Sequence, residues 1–600
     1  MGRILKHDGM KCLLRGFLIC TIVSLQWLQL EYSPVAVREW NILQNLLMVL
    51  TNLGWISLLN LVLVLILQKW EVSLSIVSVG IGLWSIVGYY VTVFHGSPLC
   101  FTMLRNAGTA MNVAGSYTYA IDGHVVVLLA LSAVQIGLLI MLGRIKTRPG
   151  FSWKRFAFRA SVLAANCLVL YIALFDGTPV KPEKSIGWRW SEPMNIYGYT
   201  CCLVEDLGNL VNPYSEPEGY DSKAIHWEAS EESAPEALPD VILILNETFF
   251  DLTRYSDVQP DRDIFAGFYG LDNAVTGHAV TPMAGGGTNN AEFELLTSNS
   301  MYLLNADAPF HYVDFAPENS NVVRYFEDLG YTTWGMHCEV ASNYARNRVY
   351  PQLGFDHVLL GKDAFHYVNT CGNRRWLDSD NYRDLLDQYE AADNAPRFLY
   401  LLTYQNHGGF TQNDPTLDTV HAANVPEELA DQVDEYLTSV DLSVQAFLDL
   451  TEYFETVDRP VIICMVGDHG PSFIEQLGPK AELSSEEASV VARATPYVIW
   501  ANFPLDVTSG GDASMVDLVP MMLRQAGLPL TPYYESILAL HEELPVRTSD
   551  GITVDRDGTV AAYTYGRPEF EKLTQYYYME FNGLKAGSDL IAELFSVPKD

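Results

Sequence analysis

Three polar motifs end runs of apolar residues in this chain. Asn246-Glu247 follows VILIL, Asn406-His407-Gly408 follows FLYLLTYQ, and Asp468-His469-Gly470 follows VIICMVG. Carboxylates and imidazoles are the donors from which divalent-cation sites and acid–base pairs are built. One such placement reads equally well as a turn or a cap; three at strand ends point to a site. A nucleophile is offered by PMAGGGTNNAEFELL, residues 282–296, in which three glycines lead into Thr288 and a helical pattern. Thr288 is expected at the helix N-cap, where free N–H groups and the helix dipole suit a phosphoryl group. The bland reading of that stretch is a flexible glycine loop ending in a capping threonine.

These motifs need a scaffold. The run at 241–247 has the short, β-branched character of a buried parallel strand, and similar runs recur at 332–337, 398–404, 461–468 and 497–502. Helical patterns lie between them. Asn319 or Ser320 is expected to cap a helix reaching Leu329, and 427–454 and 515–525 have helical period. Strand alternating with helix predicts a parallel sheet covered on both faces, with chemistry at the C-terminal strand ends. Near the end of the chain, Asp557-Gly558 signals a hairpin.

The first third is different. Five apolar runs, near residues 16–30, 47–67, 72–93, 125–142 and 160–175, are candidates to cross a ~30 Å hydrocarbon layer. The first lacks a small-residue cleavage site and reads as a retained helix. Arg3, Lys6, Lys11 and Arg15 precede it, Lys69 lies between runs two and three, and six basic residues from Arg144 to Arg159 lie between runs four and five. With five spans all three clusters fall on one side, which predicts a cytoplasmic N-terminus and an extracellular remainder. The expected division is 1–180 membrane domain, 181–240 linker, 241–545 catalytic domain and 546–600 a small C-terminal subdomain, with 213–239 the least ordered in composition.

Charge divides at the same place. The net charge is −35, but residues 1–180 hold 13 Lys and Arg against 6 Asp and Glu, whereas 181–600 hold 24 against 66. So acidic a domain argues against nucleic acid or any general polyanion as partner. Nine scattered cysteines, two of them adjacent at 201 and 202, form neither a disulfide framework nor a zinc spacing.

NETFFD (246–251), GGGTNNAEF (285–293), NYARNRVY (343–350), NHGGF (406–410) and VGDHGP (466–471) stand in the order seen in lipoteichoic acid synthases and related phosphoglycerol transferases. Five leading spans and FHGSPL at 94–99 are similar to that family too, and the resemblance covers about residues 15–545. It implies an all-α five-helix transmembrane domain followed by an extracellular α/β domain of the sulfatase-like, alkaline phosphatase type. Carried over by motif, Glu247, Thr288, Asp468 and His469 would bind one divalent cation, manganese first, with magnesium or zinc as alternatives. Thr288 would be the nucleophile, activated by the cation, and would form a covalent phosphoglycerol–threonine intermediate. His407 would contact the phosphoryl group and shuttle protons, and Arg346 would hold phosphate with its guanidinium fork. Tyr344, His337 and Glu339 would complete the substrate site. The family's aromatic-Asn-Arg run reads Tyr344-Ala345-Arg346 here, so Ala345 replaces asparagine. A competing register would use Asn347-Arg348, and Glu339 reads equally as a surface acid.

The function implied is transfer of glycerol phosphate from phosphatidylglycerol to a glycolipid or teichoic-acid-type acceptor at the outer membrane face. Rival readings are a phosphoethanolamine transferase, a lipid phosphodiesterase, and a non-catalytic envelope scaffold. A true sulfatase resembles a different nucleophile motif, C/S-x-P-x-R, which Thr288-Asn289-Asn290-Ala291-Glu292 does not match.

Overall fold

The computed structural model describes residues 2–597 apart from 35–45, 96–97, 114–118, 146–152, 174–193, 195–196, 228–234, 236, 306–308, 312, 314, 316–320, 372–373, 393, 411–415, 508–509 and 586. The chain divides into two compact units. The first is helical: α1 (Gly2–Tyr32), α2 (Leu46–Leu67), α3 (Trp70–His95), α5 (Gly123–Arg144), α6 (Trp153–Ala173) and α7 (Tyr199–Asn209). The short helix α4 (Ala107–Val113) lies between α3 and α5 in the chain and belongs to the second unit.

Among the described residues, four helices of the first unit are long and apolar enough to cross a membrane: Met10–Tyr32, Met48–Leu67, Trp70–Val93 and Gly123–Arg144. The fifth expected run falls on α6, whose apolar part, Phe156–Leu168, is shorter than the other four; residues 174–175 of that run lie outside the described residues. Polar side chains stitch the bundle. Asn60 Nδ2 donates to Gln26 Oε1 at 2.8 Å, and Gln26 Nε2 donates to Ser78 Oγ at 3.0 Å. With lipid outside a bundle, such bonds and close packing supply the attraction that apolar burial supplies in water. Glu31 closes the N-terminus of α7, accepting the N–H groups of Tyr199 and Thr200, each at 2.9 Å. A carboxylate there satisfies donors that the helix cannot and faces the positive end of its dipole.

The second unit is built on an eight-stranded sheet. Its strands are β1 (Asp240–Asn246), β2 (Ala274–Val280), β3 (Thr332–His337), β4 (His357–Leu360), β5 (Arg397–Leu402), β6 (Val461–Gly467), β7 (Ala494–Ala501) and β8 (Ala513–Ser514), in the order β8-β2-β7-β6-β1-β5-β3-β4. Every residue of β1, β5, β6 and β7 is buried, as a sheet covered on both faces requires. One face packs Ile242, Ile244, Leu399 and Leu401 into a core with Val433, Tyr436 and Val440 of the long helix α11 (Ala430–Glu455). On the other, Phe326 stacks on Phe398 with ring centroids 4.3 Å apart.

The sheet is mixed rather than parallel throughout. β7 runs antiparallel to both β6 and β2. The expectation failed because a buried antiparallel strand carries the same unbroken apolar run as a parallel one. The helix expected after residue 319 is α9 (Val322–Asp328), capped by Asn321, whose Oδ1 accepts the N–H of Val323 and of Arg324; Asn319 and Ser320 lie outside the described residues. The C-terminal hairpin forms as expected, pairing Val554 with Val560. Part of the expected connector is tied down: Ser215 N–H donates to Leu303 O at 2.7 Å, and the Tyr220 ring packs edge-on to Phe581 at 4.8 Å. All nine cysteines are free thiols.

Candidate active site

β1 and β6 are neighbours, with Asn246 opposite Gly467. Glu247 and Asp468, the next residues, therefore leave the sheet side by side at its C-terminal edge. Glu247 N–H donates to Thr403 Oγ at 3.2 Å, and Thr248 N–H donates to Asp468 Oδ1 at 2.6 Å. Thr248 has φ 47, a left-handed conformation that only surrounding contacts can hold in a non-glycine residue. The Tyr436 hydroxyl supplies one such contact, 3.0 Å from Thr248 O. Gly467 makes the crossing possible: a Cβ there would sit 2.0 Å from Phe249 O.

The glycine loop is drawn to the same edge. Gly470 N–H donates to Ala284 O at 3.0 Å, and Gly285 forms an isolated bridge with Gly470. The helix α8 (Thr288–Thr297) starts there, and its N-cap is Gly287 rather than Thr288, with φ 79. A left-handed cap favours glycine over threonine, so the hydroxyl moves one place into the helix and is released from capping. Thr288 Oγ lies 3.3 Å from Glu247 Oε2 and 3.4 Å from His469 Nε2.

The donors fit a cation. The ligand-type atoms of Glu247, Asp468 and His469 lie within 4.8 Å of one another, and all three side chains are buried. His469 Nδ1 lies 2.8 Å from Gly470 O. A carbonyl only accepts, so Nδ1 carries the proton and Nε2 presents a lone pair. That lone pair faces Asp468 Oδ2 at 3.1 Å and Glu247 Oε1 at 3.7 Å. Burial holds the imidazole below its usual pKa, and so neutral at pH 7. Burial, and then the charge of Glu247, push the Asp468 carboxyl well above the usual range. Asp468 Oδ2 is a buried oxygen with no hydrogen bond. Burial and the Glu247 charge disfavour the carboxylate form of Asp468, and a divalent cation among these donors would relieve that cost.

A second group assembles at the ends of β3 and β5. His337 ends β3, and its Nδ1 donates to Leu402 O at 3.1 Å. Burial first, and then the Arg346 charge, hold it well below the usual imidazole range. His407 stacks on Tyr404 with centroids 4.8 Å apart, and Tyr404 is 6.3 Å from the His337 ring. Asn406 anchors that turn, donating to Asn246 Oδ1 at 3.3 Å and to Ser443 Oγ at 2.9 Å. Glu339 is half-buried and accepts Trp376 Nε1–H at 3.0 Å.

Arg346 opens α10 (Arg346–Leu353) and is buried. Its guanidinium carbon lies 5.2 Å from the centre of the Tyr344 ring. Nε and Nη2 donate to Glu292 Oε2 at 2.9 and 2.8 Å. Glu292 is four residues after Thr288, so one helix face carries both the hydroxyl and the partner of the arginine. Sequence reasoning passed over Glu292, although it stands inside GGGTNNAEF, and over Thr248 and Thr403, which hold Glu247. Arg348, the arginine of the competing register, donates to Gln352 Oε1 at 3.0 Å and to Phe310 O instead.

The arrangement is a buried hydroxyl beside a cation-competent donor set, at the C-terminal edge of a mostly parallel sheet in an α/β domain. Residues 239–528 match the sulfatase family model. That stretch is similar to the sulfatase family. The chain is 26% identical over 319 residues to the "Putative cyclic beta-1,2-glucan modification protein" of Rhizobium meliloti (strain 1021), an alignment spanning 50% of this chain and 47% of that protein. Among solved structures, the Streptococcus pyogenes phosphoglycerol transferase GacH in complex with sn-glycerol-1-phosphate matches with a TM-score of 0.52 and 19% identity, over 64% of this chain and 100% of that one. The integral membrane lipooligosaccharide phosphoethanolamine transferase A (EptA) of Neisseria meningitidis matches with a TM-score of 0.48 and 14% identity, over 84% of this chain and 95% of that one.

Proposed function

We propose that this protein is a divalent-cation-dependent phosphotransferase that moves glycerol phosphate from phosphatidylglycerol to a sugar hydroxyl of an envelope glycan or glycolipid. The observation that carries the reading is the placement of Thr288 Oγ within 3.4 Å of both Glu247 and His469 in a buried donor set. Thr288, Glu247, Asp468 and His469 would hold the cation, and two carboxylates with one imidazole suit manganese. Bound there, the cation would lower the pKa of the hydroxyl and neutralise charge on the phosphoryl oxygens.

In the first step Thr288 Oγ attacks phosphorus and passes its proton to Glu247 Oε2, 3.3 Å away, which returns it when Thr288 is freed. The phosphorus–oxygen bond to diacylglycerol breaks, and His407 protonates the departing oxygen. In the second step His407 takes the proton of the acceptor hydroxyl, which attacks phosphorus and frees Thr288. Arg346 holds the phosphoryl group through the guanidinium edge that Glu292 leaves open, and His337, Glu339 and Tyr344 line the glycerol end. The name of the Rhizobium meliloti relative supports a glycan acceptor. The apolar helices support a membrane anchor that keeps the site near a lipid donor; with α6 as a fifth crossing, the basic clusters set the N-terminus in the cytoplasm and the catalytic domain outside.

Phosphatidylethanolamine is the rival donor. The test uses full-length protein in liposomes with manganese and fluorescent phosphatidylglycerol or phosphatidylethanolamine, beside Thr288→Ala. Diacylglycerol released from phosphatidylglycerol alone, and lost in the variant, supports the reading. Release from phosphatidylethanolamine alone moves the protein to the phosphoethanolamine class. No release from either overturns the enzymatic reading.

A further inference from the structure

The turn that launches Arg346 is strained and is held from outside. Tyr344 (φ 50, ψ 26) and Ala345 (φ 58, ψ 26) are consecutive left-handed residues, and neither is glycine. Such a pair persists only where its surroundings over-determine it. The turn closes some of its own bonds: Ala345 N–H donates to Ser342 O at 3.1 Å and Asn347 N–H to Ala341 O at 2.9 Å. The Tyr344 N–H goes elsewhere, to Thr109 Oγ at 3.0 Å. Three residues on, Asn112 Nδ2 donates to Asn343 Oδ1 at 2.7 Å. Residues three apart share a helix face, so α4 grips the turn with one side.

The origin of that grip is unexpected. Residues 105–113 come from the chain between α3 and α5, both apolar enough to span a membrane, yet they pack as part of the catalytic unit. We propose that Thr109, supported by Asn112, is a positioning residue for phosphoryl binding: it fixes the Asn343–Ala345 turn, and through it the Tyr344 ring and Arg346. The proposal rests on the phosphotransferase reading for what the turn positions, though not for the grip itself. A hold on the binding side of the site, made in ground state and transition state alike, is read in KM rather than kcat.

The test uses full-length protein in liposomes. Thr109→Val keeps the shape and removes the acceptor; Thr109→Ser keeps the acceptor. The valine variant is expected to exchange its Tyr344 amide hydrogen faster and to raise KM for the lipid donor about tenfold, a loss typical of one hydrogen bond, with kcat and manganese affinity unchanged. The serine variant is expected to match the wild type in both readouts. Unchanged exchange in Thr109→Val overturns the proposal. So does faster exchange with an unchanged KM, or a serine variant as impaired as valine. Wild-type protein that releases no diacylglycerol sinks the functional reading, and exchange at Tyr344 alone then decides the grip.

Discussion

Arg346 and Glu292 form a buried ion pair with side-chain exposures of 3% and 0%, and the Tyr350 hydroxyl donates to the same carboxylate. The pair joins the helix carrying Thr288 to the strained turn carrying Tyr344. Removing one partner strands the other's charge in the core, which typically costs ~3–5 kcal/mol. Glu292→Ala is therefore expected to lower unfolding stability by that amount. Replacing both partners with apolar residues is expected to cost less than either single change, because no charge is then stranded. Denaturant unfolding of the two single variants and the double variant checks this; additive losses would refute it.

Thr288 separates a nucleophile from a ligand. Thr288→Ala is expected to lower turnover by ~10³-fold or more while still binding manganese through three remaining donors. Thr288→Ser keeps the hydroxyl and is expected to retain measurable turnover. Rapid quench with labelled donor checks the covalent step: the wild type and the serine variant should trap label on protein, and the alanine variant should not. Label trapped on Thr288→Ala would place the nucleophile elsewhere.

Much of this site is legible because strand ends are legible. The apolar runs before Glu247 and Asp468 mark β1 and β6 almost to the residue, and parallel pairing puts their next residues together. What a strand pairs with is not written in its own composition. β7 reads like its parallel neighbours yet runs the other way, and β2, with Ala274, Gly277 and Ala279, is too poor in large apolar residues to register as a strand. The cap at Gly287 was missed because three glycines precede Thr288 and only φ tells which one ends the loop. Glu292 and Thr109 were missed for another reason: each acts through a partner tens or hundreds of residues away, and no local pattern encodes such a contact.

Glu294 gives the domain a pH signature separate from its chemistry. Burial pushes its carboxyl to about 8, against 4.5 for the free group, although Met301 N–H donates to it at 2.8 Å. The folded state therefore binds a proton that the unfolded state releases between those values. Stability from this group is full below pH 4.5 and falls as pH rises towards 8, by roughly 1.4 kcal/mol per unit at most. Glu294→Gln removes the titration and keeps an acceptor for Met301. The variant is expected to be more stable than wild type at pH 8.5, with the advantage shrinking towards pH 5. Denaturant midpoints of both proteins across that range provide the check, and parallel curves would refute it.

Asp468 should reverse its effect on stability with metal. Without a cation its carboxyl is buried, pushed well above the usual range by burial and then by the Glu247 charge, and left with one oxygen unbonded. Asp468→Asn removes that disfavoured acid and keeps the acceptor for Thr248 N–H. In chelator, the variant is expected to unfold at the same denaturant concentration as wild type or a higher one. In manganese the order should invert, because the wild type gains stability as RT ln(1 + [L]/Kd), about 2.7 kcal/mol at a hundredfold excess over Kd. The variant, with a weaker donor at the centre of the set, should gain far less. Unfolding midpoints of both proteins in chelator and in manganese decide the matter. A variant less stable than wild type in chelator by the same margin as in manganese would show that Asp468 serves the fold and holds no cation.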